Sequence, residues 1–127
     1  MIRTAVVAAL CTMCAGPALA QGALYGVAGF SNFGIQSLYR IDPATGSATL
    51  VGSTGLRQIT GLDLDQNSGR LMALTVAGDA YALDLTNGVS TLVTDGNFVV
   101  PEGDVAYSAS GVAHTTIFDN LHRLSGS

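Results

Sequence analysis

The sequence has no tryptophan and no lysine, and only five arginines stand against nine acidic residues. A chain with a net charge of −4 and so few cations cannot present the basic surface that a phosphate backbone requires, which argues against a nucleic-acid partner. Charged residues make up 11% of the chain and apolar residues 48%, which excludes the highly charged, weakly apolar composition of a disordered chain. Cysteine is confined to Cys11 and Cys14, in C-x-x-C spacing, and both fall in the first 20 residues. After residue 20 no apolar stretch is long enough to cross a bilayer as a helix.

Those first 20 residues have the parts of a secretory leader. Arg3 supplies the positive start, residues 5–15 are apolar but too short for a span, and Gly16 and Pro17 break the stretch. Ala18-Leu19-Ala20 matches a small-x-small cleavage site. The expectation is a signal peptide over residues 1–20, a mature chain starting at Gln21, and a secreted or periplasmic protein. Neither cysteine has the small residues of a lipoprotein site ahead of it. Both leave with the leader, so the mature domain, residues 21–127, would have no disulfide and no thiol chemistry.

What the chain has in quantity is glycine, 16 residues of it, with short apolar–polar alternations between turn residues. It also has an internal echo. Residues 38–52 read LYRIDPATGSATLVG and residues 80–94 read AYALDLTNGVSTLVT. Asp42, Gly46, Thr49, Leu50 and Val51 recur as Asp84, Gly88, Thr91, Leu92 and Val93, each displaced by 42 residues. Asp65-x-x-x-Gly69 recurs at the same displacement as Tyr107-x-x-x-Gly111, with the acid lost. The motif Asp-x-x-x-Gly is turn chemistry. The aspartate accepts backbone N–H groups two or so residues on, and the glycine supplies the positive φ that returns the chain to a strand. The alternation predicts strands near 24–29, 37–42, 47–52, 59–64, 70–76, 79–84, 89–94, 104–108, 112–117 and 121–124, and no helix.

A four-strand unit of about 42 residues has the size of a β-propeller blade. The predicted fold is therefore all-β, a partial β-propeller of about two and a half four-stranded antiparallel blades. A β-solenoid and a small β-sandwich are the alternatives. On the blade reading the first unit lacks its inner strand and the last its outer one. The chain alone is then not expected to close a ring, and its open edges favour self-association.

Residues 59–93 resemble the repeats of bacterial secreted propeller-like proteins of unknown function, whose units read approximately GLDFDPATGRLYALT followed by LYRIDPATGAATLVG. The residues that carry the resemblance are Gly61-Leu62-Asp63-Leu64-Asp65 and Ser68-Gly69-Arg70-Leu71-Met72-Ala73-Leu74-Thr75, with residues 38–52 matching the second half. The likeness covers most of residues 22–94 and fades after Gly103. It implies blade strands and turns and transfers no active site. These repeats also look broadly like those of PQQ-like propellers. The tryptophan-rich docking motifs of that type are missing, so no cofactor is carried over.

Asp63-x-Asp65-x-Asn67 spaces oxygen ligands at alternate positions, as a calcium loop does, and these three residues are the candidate metal ligands. The glycine at 69 comes one position late, no Glu follows at the twelfth position, and the turn motif already accounts for Asp65 and Gly69. His114 and His122 are the only imidazoles. With a two-residue turn at Asp119-Asn120 they fall on opposite faces of one hairpin and share no metal. Asp104 and Glu102 form a loop carboxylate pair that reads as solvated surface. There is no G-x-S-x-G elbow, H-E-x-x-H helix or glycine-rich phosphate loop. The expected function is an exported, non-enzymatic propeller-like module for binding or scaffolding. The alternative is the N-terminal piece of a propeller-type hydrolase or lyase whose site lies in further blades.

Overall fold

The computed structural model describes residues 22–29, 34–96, 99–100, 103–117 and 120–124. The expected leader, with Cys11 and Cys14, lies outside them. Every regular element among the described residues is a β-strand. Ten follow one another: β1 (Leu24–Ala28), β2 (Ile35–Ile41), β3 (Ala48–Arg57), β4 (Ile59–Asp65), β5 (Arg70–Thr75), β6 (Ala80–Leu83), β7 (Ser90–Thr94), β8 (Val105–Tyr107), β9 (Ala113–Ile117) and β10 (Asn120–Leu124). They make three antiparallel sheets, β1-β2-β3, β4-β5-β6-β7 and β8-β9-β10, none closed on itself. Each strand pairs with its sequence neighbour, so each sheet is a simple meander built from local hairpins.

Nine strands sit where the alternation places them. The exception is β3, which runs on to Arg57 although Gly52-Ser53-Thr54-Gly55 reads as a strand end. Thr54 holds the extension. It is buried, its Oγ1 donates to the Gln36 carbonyl at 2.6 Å, and the same oxygen accepts the Leu56 N–H at 3.0 Å. Gly55, at φ +73°, supplies the local reversal that a residue with a Cβ rarely adopts.

The hairpins β2–β3 and β6–β7 pair identically. Leu38↔Gly52, Tyr39↔Leu50, Arg40↔Thr49 and Ile41↔Ala48 match Ala80↔Thr94, Tyr81↔Leu92, Ala82↔Thr91 and Leu83↔Ser90. Both registers slip at the same point, which leaves Val51 and Val93 as the extra residues of two bulges. The pairing also aligns strands that the sequence does not. Leu24↔Ile41 and Gly26↔Tyr39 match Leu71↔Leu83 and Ala73↔Tyr81, and these match Ala113↔Leu124 and Thr115↔His122.

The sheets stack with the four-stranded one in the middle. Strand β5 alternates between the two interfaces, which is why all of it but Arg70 is buried. On one side Leu71 and Ala73, with Leu83 of β6, pack against Leu38, Tyr25, Val27 and Val51 of the first sheet. On the other, Leu74 packs with Val100, Val105 and Ala113 against the third sheet. Each fully buried leucine or valine in these two layers contributes about 1.5–3 kcal/mol. Backbone meets backbone where the layers are closest. A Cβ on Gly52 would overlap the Asn87 carbonyl, and one on Gly61 would overlap Asp104 and the Val105 nitrogen.

Candidate functional site

The Asp-x-x-x-Gly motif forms the same turn three times. Asp42, Asp65 and Asp84 each accept, through Oδ1, the N–H two residues on: Ala44 at 2.8 Å, Asn67 at 3.0 Å and Thr86 at 2.7 Å. The main-chain oxygen of each then accepts the N–H of Gly46, Gly69 or Gly88 at 2.7–2.8 Å. The three glycines lie at φ +72°, +68° and +82°. These hydrogen bonds hold all three carboxyls below the usual carboxylate range. The leading donor is the Ala44 N–H at Asp42, the Ser68 hydroxyl at Asp65 and the Thr86 hydroxyl at Asp84.

The fourth turn differs from its expected bounds. It opens at Ser108, not Tyr107, because one residue is missing from the loop. Ser108 N–H bonds to the Val112 carbonyl at 2.9 Å, and Gly111 N–H to the Ser108 carbonyl at 2.8 Å. Ser108 Oγ also accepts the Val112 N–H at 3.1 Å, in place of a turn aspartate. Gly111 keeps its positive φ of +77°.

Of the candidate ligands Asp63, Asp65 and Asn67, both carboxylates accept hydrogen bonds through both of their oxygens. Asp65 Oδ2 accepts the Ser68 hydroxyl at 2.6 Å in addition to the bond from Asn67. Asp63 stands on β4 and joins two sheets. Its Oδ1 accepts the Leu64 N–H at 2.8 Å and its Oδ2 the Tyr107 N–H at 2.6 Å. No group of three or more His, Cys, Asp or Glu side chains placed to hold a metal ion is gathered among the described residues.

His114 pairs with Arg123 and His122 with Thr115, a register one position earlier than a turn at Asp119-Asn120 would give. The displacement leaves parity unchanged, and the two imidazoles stand on opposite faces of the sheet. Asp104 turns its Oδ1 back to the Val105 N–H at 2.8 Å, and Glu102 lies outside the described residues.

Sequence reasoning missed the chemistry at the edges of β4 and β8. In an antiparallel hairpin alternate N–H groups point away from the partner strand. Ser108 bonds inward to Val112, so the N–H groups of Tyr107 and Val105 point outward from β8. Carboxylates take both, Asp63 the first and Asp104 the second. The two edges lie side by side, Gly61 against Val105 and Asp63 against Tyr107. Burial, with Asp65 and Asp63 nearby, pushes the Tyr107 phenol above its ordinary value. Only the acidic residues themselves were visible in the sequence, because Asp63 and Tyr107 are 44 positions apart.

Beside β1 the same neighbourhood opens. A groove of about 430 Å³ runs between residues 22–25 and Leu62, Asp63 and Leu64 of β4, floored by Leu71 and Leu85. Its walls are mostly apolar, and Leu24 and Leu64 are 51% and 44% exposed in it. No helix among the described residues is long and apolar enough to cross a membrane. No protein-family model, curated protein or solved structure matches the chain.

Proposed function

We propose that this chain is an exported β-propeller-like module that works by binding or scaffolding and not by catalysis. The observation that carries the reading is the equivalence of the three stacked sheets. Each meander places the same pairs in register, and the middle and third sheets present equivalent faces to the sheet before them: Leu71, Ala73 and Leu83 in the middle sheet, Ala113, Thr115 and Leu124 in the third. Sheets repeated about every 42 residues and stacked in one direction are what successive blades require. On this reading β4 and β8 are innermost strands lying side by side, and β3 and β7 are outer ones. The resemblance to bacterial secreted propeller-like repeat proteins supports the same conclusion, as does the leader-like N-terminus for export.

The polar groups support binding over catalysis. The carboxylates of Asp42, Asp63, Asp65, Asp84 and Asp104 each accept backbone N–H groups, so they are committed to turns and edges. The test is turnover by purified exported protein on chromogenic ester, glycoside and phosphoester substrates and on an acidic polysaccharide. No turnover is expected. Activity that survives repurification and falls on Asp63→Asn or Asp104→Asn would overturn the reading.

A further inference from the structure

The groove beside β1 stands where the other two sheets hold a strand. In the third sheet β8 pairs with β9, and in the middle sheet β4 pairs with β5. Strand β1 corresponds by register to β5 and β9, yet among the described residues it pairs only with β2. Its other edge faces the groove. The walls of that groove match a covered surface elsewhere in the chain. Tyr107↔Ala113 and Val105↔Thr115 on β8 correspond to Leu64↔Leu71 and Leu62↔Ala73 on β4. Val105 is 3% exposed and packs with Leu74 and Val100, and β4 lies directly against β8, Gly61 at Val105 and Asp63 at Tyr107. The counterparts of Val105 and Tyr107, Leu62 and Leu64, turn in the same sense, toward the first sheet, and line the groove with no strand laid over them among the described residues.

We propose that the groove receives an extended strand from a partner polypeptide, which adds to the edge of β1 away from β2 and lies against β4 at Leu62 and Leu64 as β4 lies against β8 at Val105 and Tyr107. This deepens the binding reading above and rests on the equivalence of the sheets. Strand addition of this kind takes its affinity from main-chain hydrogen bonds and its selectivity from alternate side chains. What β4 offers to β8 defines the selectivity. Gly61 allows the backbones to meet at Val105, and Asp63, two residues on, caps the Tyr107 N–H. The incoming strand therefore carries a small residue and a carboxylate in the pattern Gly-x-Asp. The small residue lies over Leu62. The carboxylate reaches the Leu64 N–H, which is now held by the Oδ1 of its own neighbour Asp63.

The probe is an end-capped peptide with the sequence of β4, Ile-Thr-Gly-Leu-Asp-Leu-Asp, titrated to 5 mM into ¹⁵N-labelled exported protein. Saturable shifts are expected at the amides of residues 24–28 and 62–64. A peptide with Gly→Val and the first Asp→Asn should bind at least about fivefold more weakly. Leu64→Arg in the protein, at an exposed position, should do the same, whereas Leu121→Arg on β10 should change nothing. No saturable shift, shifts confined to other edges, or indifference to the peptide changes would overturn the proposal. Concentration-dependent shifts of these same amides without peptide would also overturn it, because a second copy would then fill the groove. None of these failures touches the non-catalytic reading, which the turnover assay decides.

Discussion

Asp63 and Tyr107 join two sheets through one hydrogen bond, the Tyr107 N–H donating to Asp63 Oδ2 at 2.6 Å. The same carboxylate holds the Leu64 N–H at 2.8 Å, so one side chain closes two strand edges. Hydrogen bonds to a charged acceptor are each worth about 1.5–3 kcal/mol, and losing this one leaves a part-buried donor bare. Asp63→Ala should destabilise by about 2–3 kcal/mol in urea unfolding. Asp63→Asn should lose less, since its amide oxygen keeps one of the two bonds. In Asp63→Ala the Tyr107 amide should exchange with solvent faster than its neighbour Ser108, which stays bonded to Val112. Equal exchange would show that the carboxylate does not guard the edge.

Gly46 and Gly88 occupy the same turn position, but their surroundings separate them. Both have φ well above zero, where a Cβ costs about 1–2 kcal/mol. A Cβ on Gly46 meets nothing within 4 Å, whereas one on Gly88 comes within 2.8 Å of the Gly52 carbonyl group, where the first two sheets touch. Gly46→Ala should therefore cost only the backbone strain. Gly88→Ala should cost about 1–3 kcal/mol more, because two backbones must part. Chemical denaturation of the two variants checks this, and equal losses would mean the contact at Gly52 yields freely.

The local parts of this fold were legible in the sequence and the non-local parts were not. Alternation and the Asp-x-x-x-Gly turns located ten strands, because a hairpin is fixed by residues a few positions apart. The extension of β3 through Thr54 depends on the Gln36 carbonyl, 18 residues away. The shortened turn at Ser108 was hidden by aligning Gly111 to Gly69 with Tyr107 in the place of Asp65. At the site, Asp63 and Asp65 drew notice as spaced oxygen ligands. Their separate tasks, one in a turn and one across an interface, became visible only once Tyr107 was placed. The groove beside β1 has no local signature, since sheet pairing and not sequence identity relates β1 to β5.

Stability should decline at both pH extremes, for separate reasons. Asp42, Asp65 and Asp84 are held below the ordinary carboxylate value in the fold. Their contribution is complete above the unfolded value near 4 and is lost as pH falls through the lower folded values. Combining Asp42→Asn, Asp65→Asn and Asp84→Asn keeps the oxygen acceptors and removes the charges. This variant should flatten the decline of Tm between about pH 4 and pH 2. Tyr107 is raised, so its contribution is present below its unfolded value near 10 and is lost as pH rises from there through the folded value. Tyr107→Phe should blunt that alkaline decline. Unchanged pH profiles in both variants would assign the decline to other groups.

Calcium should change little. The Asp63 and Asp65 oxygens accept N–H and O–H donors at 2.6–3.0 Å, and a cation there would have to displace positively polarised hydrogens. Any ligand that binds only the folded state raises stability by mass action. Melts in millimolar calcium and in chelator should agree to within about a degree. A rise of several degrees in calcium, abolished by Asp63→Asn, would show that Asp63, Asp65 and Asn67 do gather around the ion.

Thr115 offers the opposite kind of test, a substitution that should improve the protein. It is 1% exposed, and its Oγ1 has no hydrogen-bond partner among the described residues. It stands opposite Val105 on the face of β9 that packs against the middle sheet, in the position that Ala73 takes on β5. A buried hydroxyl that finds no partner costs about 1–3 kcal/mol. Valine has nearly the same shape and replaces the hydroxyl with a methyl group suited to a layer of Leu74, Val100 and Val105. Thr115→Val should therefore raise stability by about 1 kcal/mol. Thr115→Ser, which keeps the hydroxyl and removes the methyl, should lower it. Urea midpoints of the three proteins give the order directly. A Thr115→Val protein less stable than its parent would mean that the hydroxyl does have a partner in solution, such as a buried water, and that the interface with the third sheet is wetter than its apolar lining implies.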